Sequence, residues 1–229
     1  MQIPENEPEV YKSKIDLLCG TYDQHKNIKR TTNSKNTLEE CCRKLAYQMH
    51  RRKQREAPRH EILRLLLEGM GEKLSKASIE SAVDDLINHC NILKHSPESG
   101  SFGFGHLRYQ EYLASEELTR NRAIDITMLT NNSWWGGALY LYSFNNSIQP
   151  IIDEIIYKYG SVVSHHKNLT QMIEAQPASL RTGLKNIIDR HLTLDRHEGL
   201  SDLGHQDSYE YIDRYEDDLS DLKIYRPDF

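Results

Sequence analysis

One histidine in this chain stands where its ring could bind a charged ligand. His106 follows residues 102–105, Phe-Gly-Phe-Gly, in which aromatic residues alternate with glycine as in a short strand. After it, Tyr109, Tyr112 and Leu113 recur at helical spacing, so His106 lies where a strand ends and a helix begins. An imidazole at such a place can donate a hydrogen bond to a phosphate oxygen, or it can cap the helix or pack under it.

The other histidines and the cysteines have no recognisable metal-binding spacing. His165 and His166 are adjacent and would point to different sides of a helix, while His191, His197 and His205 lie six or eight residues apart. We therefore expect solvated histidines at all five positions. Because no C-x-x-C pair occurs, reduced thiols that act as small hydrophobic side chains are predicted for Cys19, Cys41, Cys42 and Cys90.

The chain lacks the sequence pattern that binds nucleoside triphosphates. No G-x-x-x-x-G-K-[ST] occurs, and residues 69–73, Gly-Met-Gly-Glu-Lys, have the wrong spacing and follow no strand. No acidic run follows an apolar strand to hold Mg²⁺, and nothing places a base near a nucleophile. We therefore expect no catalytic residue, no metal ligand and no cofactor bound by this chain alone, and no enzymatic activity.

Composition and charge favour a soluble, cytoplasmic protein. Of the 229 residues, 38% are hydrophobic and 28% are charged, and the mean hydropathy is −0.70. No apolar run is long enough to span a membrane, and residues 1–10 lack the apolar core of a secretion signal. We expect no contact with a membrane.

The net charge of −5 is unevenly spread along the chain. Residues 24–64 contain twelve lysines and arginines and four acids, whereas residues 195–229 contain eleven acids and four basic residues. Such asymmetry is typical of a nucleic-acid surface or an interaction tail. Two solvated faces that attract one another are an equally good interpretation.

The hydrophobic periodicity predicts a mainly α fold with a small β hairpin. Thr37 and Glu40 fit a capping box at the start of a helix that runs to about Glu56. Alternating residues at 92–95 and 101–105, joined by Ser-Pro-Glu-Ser-Gly, predict a hairpin. Further helices are predicted over residues 10–18, 59–70, 75–90 and 107–121. Three helices, a two-stranded wing and a closing helix are the order of a winged-helix domain.

Beyond residue 122 the pattern remains helical. Residues 134–144 are aromatic and apolar, and residues 148–159 and 180–192 each carry an apolar stripe. These features predict a helical, sensor-like or repeat-like region, although no fixed repeat period occurs. Residues 195–229 are rich in charge and tyrosine, which predicts a partly flexible acidic tail.

Residues 104–114 resemble a signature that closes the winged-helix domain of NACHT-type signalling ATPases, F-x-H-x-x-(F/Y)-Q-E-(F/Y)-hydrophobic-A. Residues 3–23 resemble the segment that follows the ATPase core in bacterial members, and Trp134-Trp135 resembles the tryptophan that opens the next helical region. The resemblance covers about residues 1–145. The chain departs mildly from this signature at two places: it has Arg108-Tyr109 where Ser-Phe is commoner, and Ala114-Ser115 where Ala-Ala is commoner.

The resemblance implies the C-terminal part of a NACHT-type STAND NTPase, a bacterial NLR-like protein. It implies four segments: a helical exit segment (1–36), a winged-helix domain (37–121), a helical region (122–194) and an acidic tail (195–229). In that family the histidine matching His106 contacts the phosphates of ADP, so this role requires an NTPase core in cis or in trans. For the complete protein, the resemblance implies that it binds ADP or ATP with Mg²⁺ and forms a homo-oligomer on activation. It also implies a sensed protein or nucleic-acid ligand and an anti-phage role.

Two other classes of function remain open. In a DNA-binding winged helix, helix 75–90 would enter the major groove, assisted by Lys73 and Lys76 and by the basic residues of 43–64. Glu80, Asp84 and Asp85 on that helix would repel phosphates, and we expect the two aspartates to face solvent or a neighbouring domain. The third class is a helical scaffold whose tail binds a partner.

Overall fold

The computed structural model describes residues 4–21 and 30–201. The first half of this chain folds as helices interrupted by three short strands. Two five-residue π-helical turns, Leu17–Thr21 and Asp85–His89, extend the ends of α1 and α4. The elements are α1 Glu7–Asp16, α2 Lys35–Arg51, β1 Glu56–Ala57, α3 Arg59–Met70, α4 Lys76–Asp84, β2 Lys94–Ser96, β3 Ser101–Gly103 and α5 Leu107–Arg120.

The second half is helical throughout its described part. Three 3₁₀ turns occur at Thr127–Leu129, Ser133–Trp135 and Val163–His165. The α-helices are α6 Gly136–Tyr142, α7 Gln149–Tyr159, α8 His166–Glu174 and α9 Ala178–Ser201. No helix in the described ranges is both long and apolar enough to cross a membrane. Residues 22–29 and the part of the predicted acidic tail beyond residue 201 lie outside the described residues.

The sheet confirms the predicted hairpin and adds one strand. It is antiparallel, with the order β1-β3-β2, so the central strand pairs with the hairpin partner on one side and with Glu56–Ala57 on the other. A Cβ atom on Gly103 would lie 2.5 Å from the carbonyl oxygen of Arg55, so glycine lets β1 approach this closely. The mainly α winged-helix fold is therefore confirmed.

The start and the end of α2 differ from the prediction. Ser34 is the N-cap, and its Oγ accepts a hydrogen bond of 3.2 Å from the backbone N–H of Thr37. The predicted capping box at Thr37 and Glu40 is therefore wrong, and the Glu40 carboxylate instead pairs with Lys73 at 2.7 Å. The helix ends at Arg51 rather than near Glu56, because the following residues turn and enter the sheet.

Two hydrophobic clusters form the core, and α5 contributes to both. Tyr112 and Leu113 are buried in the cluster formed with α1 to α4, whereas Ala114 and Leu118 are buried in the cluster formed with α6 to α9. All four cysteines are free and buried in the first cluster, which confirms their predicted role as small hydrophobic side chains.

A buried histidine joins the two halves of the molecule. The ring of His50, at the end of α2, stacks on Trp134 with ring centroids 5.0 Å apart and meets the edge of Trp135 at 4.6 Å. Its Nε2 lies 3.2 Å from the Trp134 carbonyl oxygen, and the Trp134 indole N–H donates to the His50 carbonyl at 2.8 Å. Burial lowers the pKa of His50 to about 4, so the ring is neutral at pH 7.

The prediction that Asp85 faces solvent or a neighbouring domain is wrong, because the segment that precedes α2 covers its side chain. Its Oδ2 accepts hydrogen bonds from the backbone N–H groups of Thr32 and Asn33, each at 2.9 Å, and the carboxylate also pairs with His89 at 2.9 Å. Burial by itself raises the pKa of Asp85, but the hydrogen bonds from Asn33 lead the opposing effects and the net shift is downward. Asp84 is exposed as expected and pairs with Arg59.

Candidate functional site

His106 occupies the junction between the wing and α5, as predicted. It is the N-cap residue of α5, with an extended backbone (φ −123°, ψ 133°), but its side chain makes no capping hydrogen bond. The residue is exposed, so the ring neither caps the helix nor packs under it. The imidazole is therefore available to a ligand.

His106 lies on the wall of an open cleft of about 510 Å³ between the wing and the start of α5. The side chains of Arg55, Lys94 and His95 share this cleft, and Glu56 is the one acidic residue among the residues that line it. The carboxylate of Glu56 accepts a hydrogen bond of 2.7 Å from the hydroxyl of Ser99 in the wing turn. Two cations and two imidazoles against one carboxylate favour an anionic ligand.

The three-stranded sheet brings these side chains together. Arg55 and Glu56 come from the entry to β1, Lys94 and His95 from β2, and His106 follows β3. Pairing of β3 with both neighbours sets Glu56 and Lys94 opposite the same residue, Gly103. The sequence placed His106 correctly but gave no sign that residues from two other strands would join it.

Three features of the junction fix the entry to α5. Gly105 has a φ of +75°, which favours glycine, and a Cβ atom there would lie 3.2 Å from Cγ of Lys94. The buried amide of Gln110 donates a hydrogen bond of 2.8 Å to the carbonyl oxygen of Gln54, which ties the first turns of α5 to the segment before β1. Phe104 is buried beneath the junction, so the backbone that carries His106 is firmly held.

The comparisons with known proteins agree with this geometry. Residues 7–118 match the family described as the winged helix-turn-helix domain C-terminal to NACHT. The chain carries the winged-helix domain of a NACHT-type protein. The resemblance stated from residues 104–114 is thereby confirmed. No curated protein and no solved structure matches the chain.

Helix α1 lies within the matched range and packs against α5 through ion pairs and aromatic rings. Arg108, which departs from the family signature, donates to both carboxylate oxygens of Glu7 at 2.8 and 3.2 Å and also pairs with Glu111 at 3.0 Å. The hydrogen bond from Arg108 leads the effects that lower the pKa of Glu7. The ring of Tyr11 contacts that of Tyr109 with centroids 5.2 Å apart. Helix α1 is therefore docked on α5, and its start at Glu7 coincides with the start of the family match.

Six of the twelve basic residues of 24–64 form ion pairs with acidic residues in the described part of the domain. The buried carboxylate of Glu117 pairs with Lys44 at 2.6 Å and lies 3.9 Å from Arg43. Further ion pairs link Lys35 to Asp16, Arg52 to Glu68, Arg59 to Asp84 and Arg64 to both Glu61 and Glu68. This pairing leaves little free positive charge on α2 and α3 for a DNA backbone.

The remaining histidines follow the prediction only in part. His166 is exposed as expected, but His165 is buried, and its Nδ1 lies 2.7 Å from the hydroxyl of Thr130. The expectation of a solvated ring at His165 is therefore wrong, because the turn that contains Thr130 covers it. His191 is partly buried, and the side chains of His197 and His205 lie outside the described part. The described residues contain no group of three or more potential metal ligands.

Proposed function

We propose that this chain is the regulatory part of a NACHT-type signalling ATPase and that its winged-helix domain stabilises the ADP-bound resting state. The observation that carries the proposal is the position of the His106 side chain. It is exposed, it has no hydrogen-bond partner among the described residues, and it shares one cleft with Arg55 and Lys94. A phosphate in this cleft would lie near the guanidinium of Arg55, the ammonium group of Lys94 and the imidazole of His106, all of which can donate hydrogen bonds. The positive end of the α5 dipole lies at the same place and favours an anion there.

The nucleotide itself would be bound mainly by an ATPase core, in cis or in trans. The chain has no phosphate loop, so we propose no catalytic residue in it and assign ATP hydrolysis, ADP or ATP binding and Mg²⁺ coordination to that core. His106 would supply a hydrogen bond that exists only while the winged helix is closed on the core. Such a bond shifts an equilibrium between closed and open states toward the closed one.

The helical region is proposed to transmit the sensing of a ligand to this closed state. Support comes from α5, which is buried in both hydrophobic clusters, and from the reciprocal hydrogen bonds between His50 and Trp134. Release of the closed state would permit homo-oligomerisation of the complete protein in the cytoplasm, and an anti-phage role is the corresponding biological setting.

The test is ADP release from the complete assembly of this chain with its ATPase core. A charge-assisted hydrogen bond contributes about 1.5–3 kcal/mol, so His106→Ala should accelerate ADP release by roughly tenfold to a hundredfold. His60→Ala is the matched control, because His60 is also exposed and lies in the same domain but outside the cleft. Equal release rates for the parent and for the His106 variant would refute the role of His106.

A DNA-binding function has weaker support. Among the residues of helix 75–90, Asp84 is held in an ion pair and Asp85 is buried, while Lys73 is paired with Glu40. Binding of a DNA duplex by this helix would be lost when Lys73 and Lys76 are neutralised and would fall steeply with salt. We expect only weak binding that is independent of sequence.

A further inference from the structure

The face of the wing that contains the cleft carries basic residues that have no acidic partner among the described residues. Arg55 and Lys94 line the cleft and are exposed, and neither forms an ion pair with a described residue. Arg51 and Lys53, four and two residues before Arg55, are exposed and also have no ion pair in the described part. By contrast, α2 and α3 pair most of their cations internally.

The acidic residues of this face do not cancel its charge. Glu56 lines the cleft but its carboxylate is engaged with Ser99, and Glu98 is exposed at the tip of the wing. Against these two carboxylates stand Arg55 and Lys94 in the cleft, and Arg51 and Lys53 lie close before Arg55 in the chain. His95 and His106 add two rings that can donate hydrogen bonds to carboxylates. The surface therefore suits an acidic segment.

The same chain contains such a segment. Residues 202–229 have nine acidic and three basic residues, a net charge of −6, and five of the acids lie within residues 213–221. Four tyrosines, at positions 209, 211, 215 and 225, accompany the acids. Tyrosine rings can stack on imidazoles such as that of His106, so the composition of the segment fits the cleft in both charge and aromatic content.

We infer that residues 202–229 dock on the wing face, with the acids of 213–221 against Arg55 and Lys94. The distance allows this, because 28 residues in an extended conformation span about 90 Å, while a folded unit of 200 residues has a radius of gyration of about 16 Å. Tethering raises the effective concentration of the segment to roughly millimolar, so weak ion pairs suffice for occupancy.

Docking of the segment would place a built-in competitor in the cleft. Any phosphate ligand of this cleft would have to displace the carboxylates, because both are anions that use the same cations. The inference stands on charge and chain connectivity and does not depend on the proposed role of His106 toward ADP. It predicts an autoinhibitory contact that salt weakens, because exposed ion pairs are screened.

The first experiment is zero-length carbodiimide cross-linking of the full 229-residue chain, followed by mass spectrometry. We expect Lys94 to be joined to carboxylates of 213–221 more often than Lys76 or Lys167, which are exposed on other elements. Raising NaCl from 50 to 500 mM should suppress the Lys94 cross-links selectively. Similar yields for all three lysines would overturn the inference.

The second experiment changes the charges in the full chain. Neutralising the five acids of 213–221 to the corresponding amides should reduce the Lys94 cross-links to the remaining acids of 202–229 and shift the ring NMR signals of His95 and His106. Arg55→Gln should reduce the cross-links by roughly fivefold, since an exposed ion pair contributes a modest factor to each contact. Lys167→Gln is the matched control and should leave them unchanged.

A charge swap separates docking from loss of folding. Arg55→Glu with Lys94→Glu should move the histidine signals to their positions in the chain with a neutralised segment, and Asp217→Lys with Asp218→Lys in the same chain should restore the docked positions. Mixing ¹⁵N-labelled with unlabelled chains identifies the source of the segment. Cross-links between different chains would show that a second copy occupies the face and would overturn the inference. It would also be overturned if Lys94 formed no cross-link to 202–229 while Arg55→Gln abolished binding of a DNA duplex.

Discussion

The neutral, buried ring of His50 makes the stability of the chain depend on pH. Burial lowers its pKa to about 4 in the folded protein, whereas an unfolded histidine has a pKa of about 6.5. Its Nδ1 is buried without a hydrogen-bond partner, so a proton added there would be placed among apolar atoms and the two tryptophan rings. The folded state therefore resists protonation.

The sign and the size of the effect follow from these two pKa values. Above pH 6.5 the ring is neutral in both states and costs nothing, and as the pH falls below 6.5 only the unfolded state gains the proton. Stability is thus lost progressively from pH 6.5 down to about 4. At pH 5 the loss attributable to His50 is about 2 kcal/mol, and it approaches about 3.5 kcal/mol below pH 4.

Urea unfolding at pH 7 and pH 5 measures this loss, with tryptophan fluorescence as the signal, because both tryptophans contact the His50 ring. His50→Gln retains an amide donor for the Trp134 carbonyl but does not titrate, so its free energy of unfolding should fall by about 2 kcal/mol less over this interval. His60→Gln, an exposed control, should behave like the parent. If the parent and His50→Gln lost the same stability between pH 7 and pH 5, the reasoning would be refuted.

Two further predictions concern the segment before α2 and the wing. Asp85→Asn weakens the acceptor that holds the backbone N–H of Thr32, so hydrogen exchange at Thr32 should accelerate by roughly tenfold to a hundredfold, while exchange in α7 should not change. Gly103→Ala would place a methyl group against the Arg55 carbonyl and should lower the free energy of unfolding by about 1–3 kcal/mol. Gly183 lies in α9, and no atom lies within 4 Å of a methyl group added there, so Gly183→Ala should raise the free energy of unfolding by about 0.5–1 kcal/mol. If the two substitutions had equal effects, the close approach of β1 to Gly103 would be contradicted.

Elements bounded by strong local signals could be predicted from the sequence. Helix α3 begins after Pro58 and ends before Gly71, and its bounds match the prediction because both residues interrupt a helix. Helix α5 begins at Leu107 as predicted, where the spacing of apolar residues changes from strand to helix.

Elements that depend on tertiary contacts could not be predicted. Strand β1 has only two residues, too few to show alternation, and it exists because β3 offers it a partner. The burial of Asp85 depends on a segment more than fifty residues earlier in the chain. In the site, His106 was found from its local motif, whereas Arg55 and Lys94 join it through strand pairing that no local pattern reveals.

Helix α5 would act as a lever if it tilted, because it carries His106 at one end and is buried in the helical region at the other. Tyr112, in the winged-helix core, lies about six residues from His106, or about 9 Å along the axis. A tilt of about 10° around Tyr112 therefore moves the start of the helix by about 1.5 Å, which is enough to break a hydrogen bond. Leu118 lies about as far from Tyr112 on the other side and would move by a similar distance in the opposite direction. A small change in packing beside α6 would therefore shift the position of His106 in the cleft without any substitution of the cleft residues.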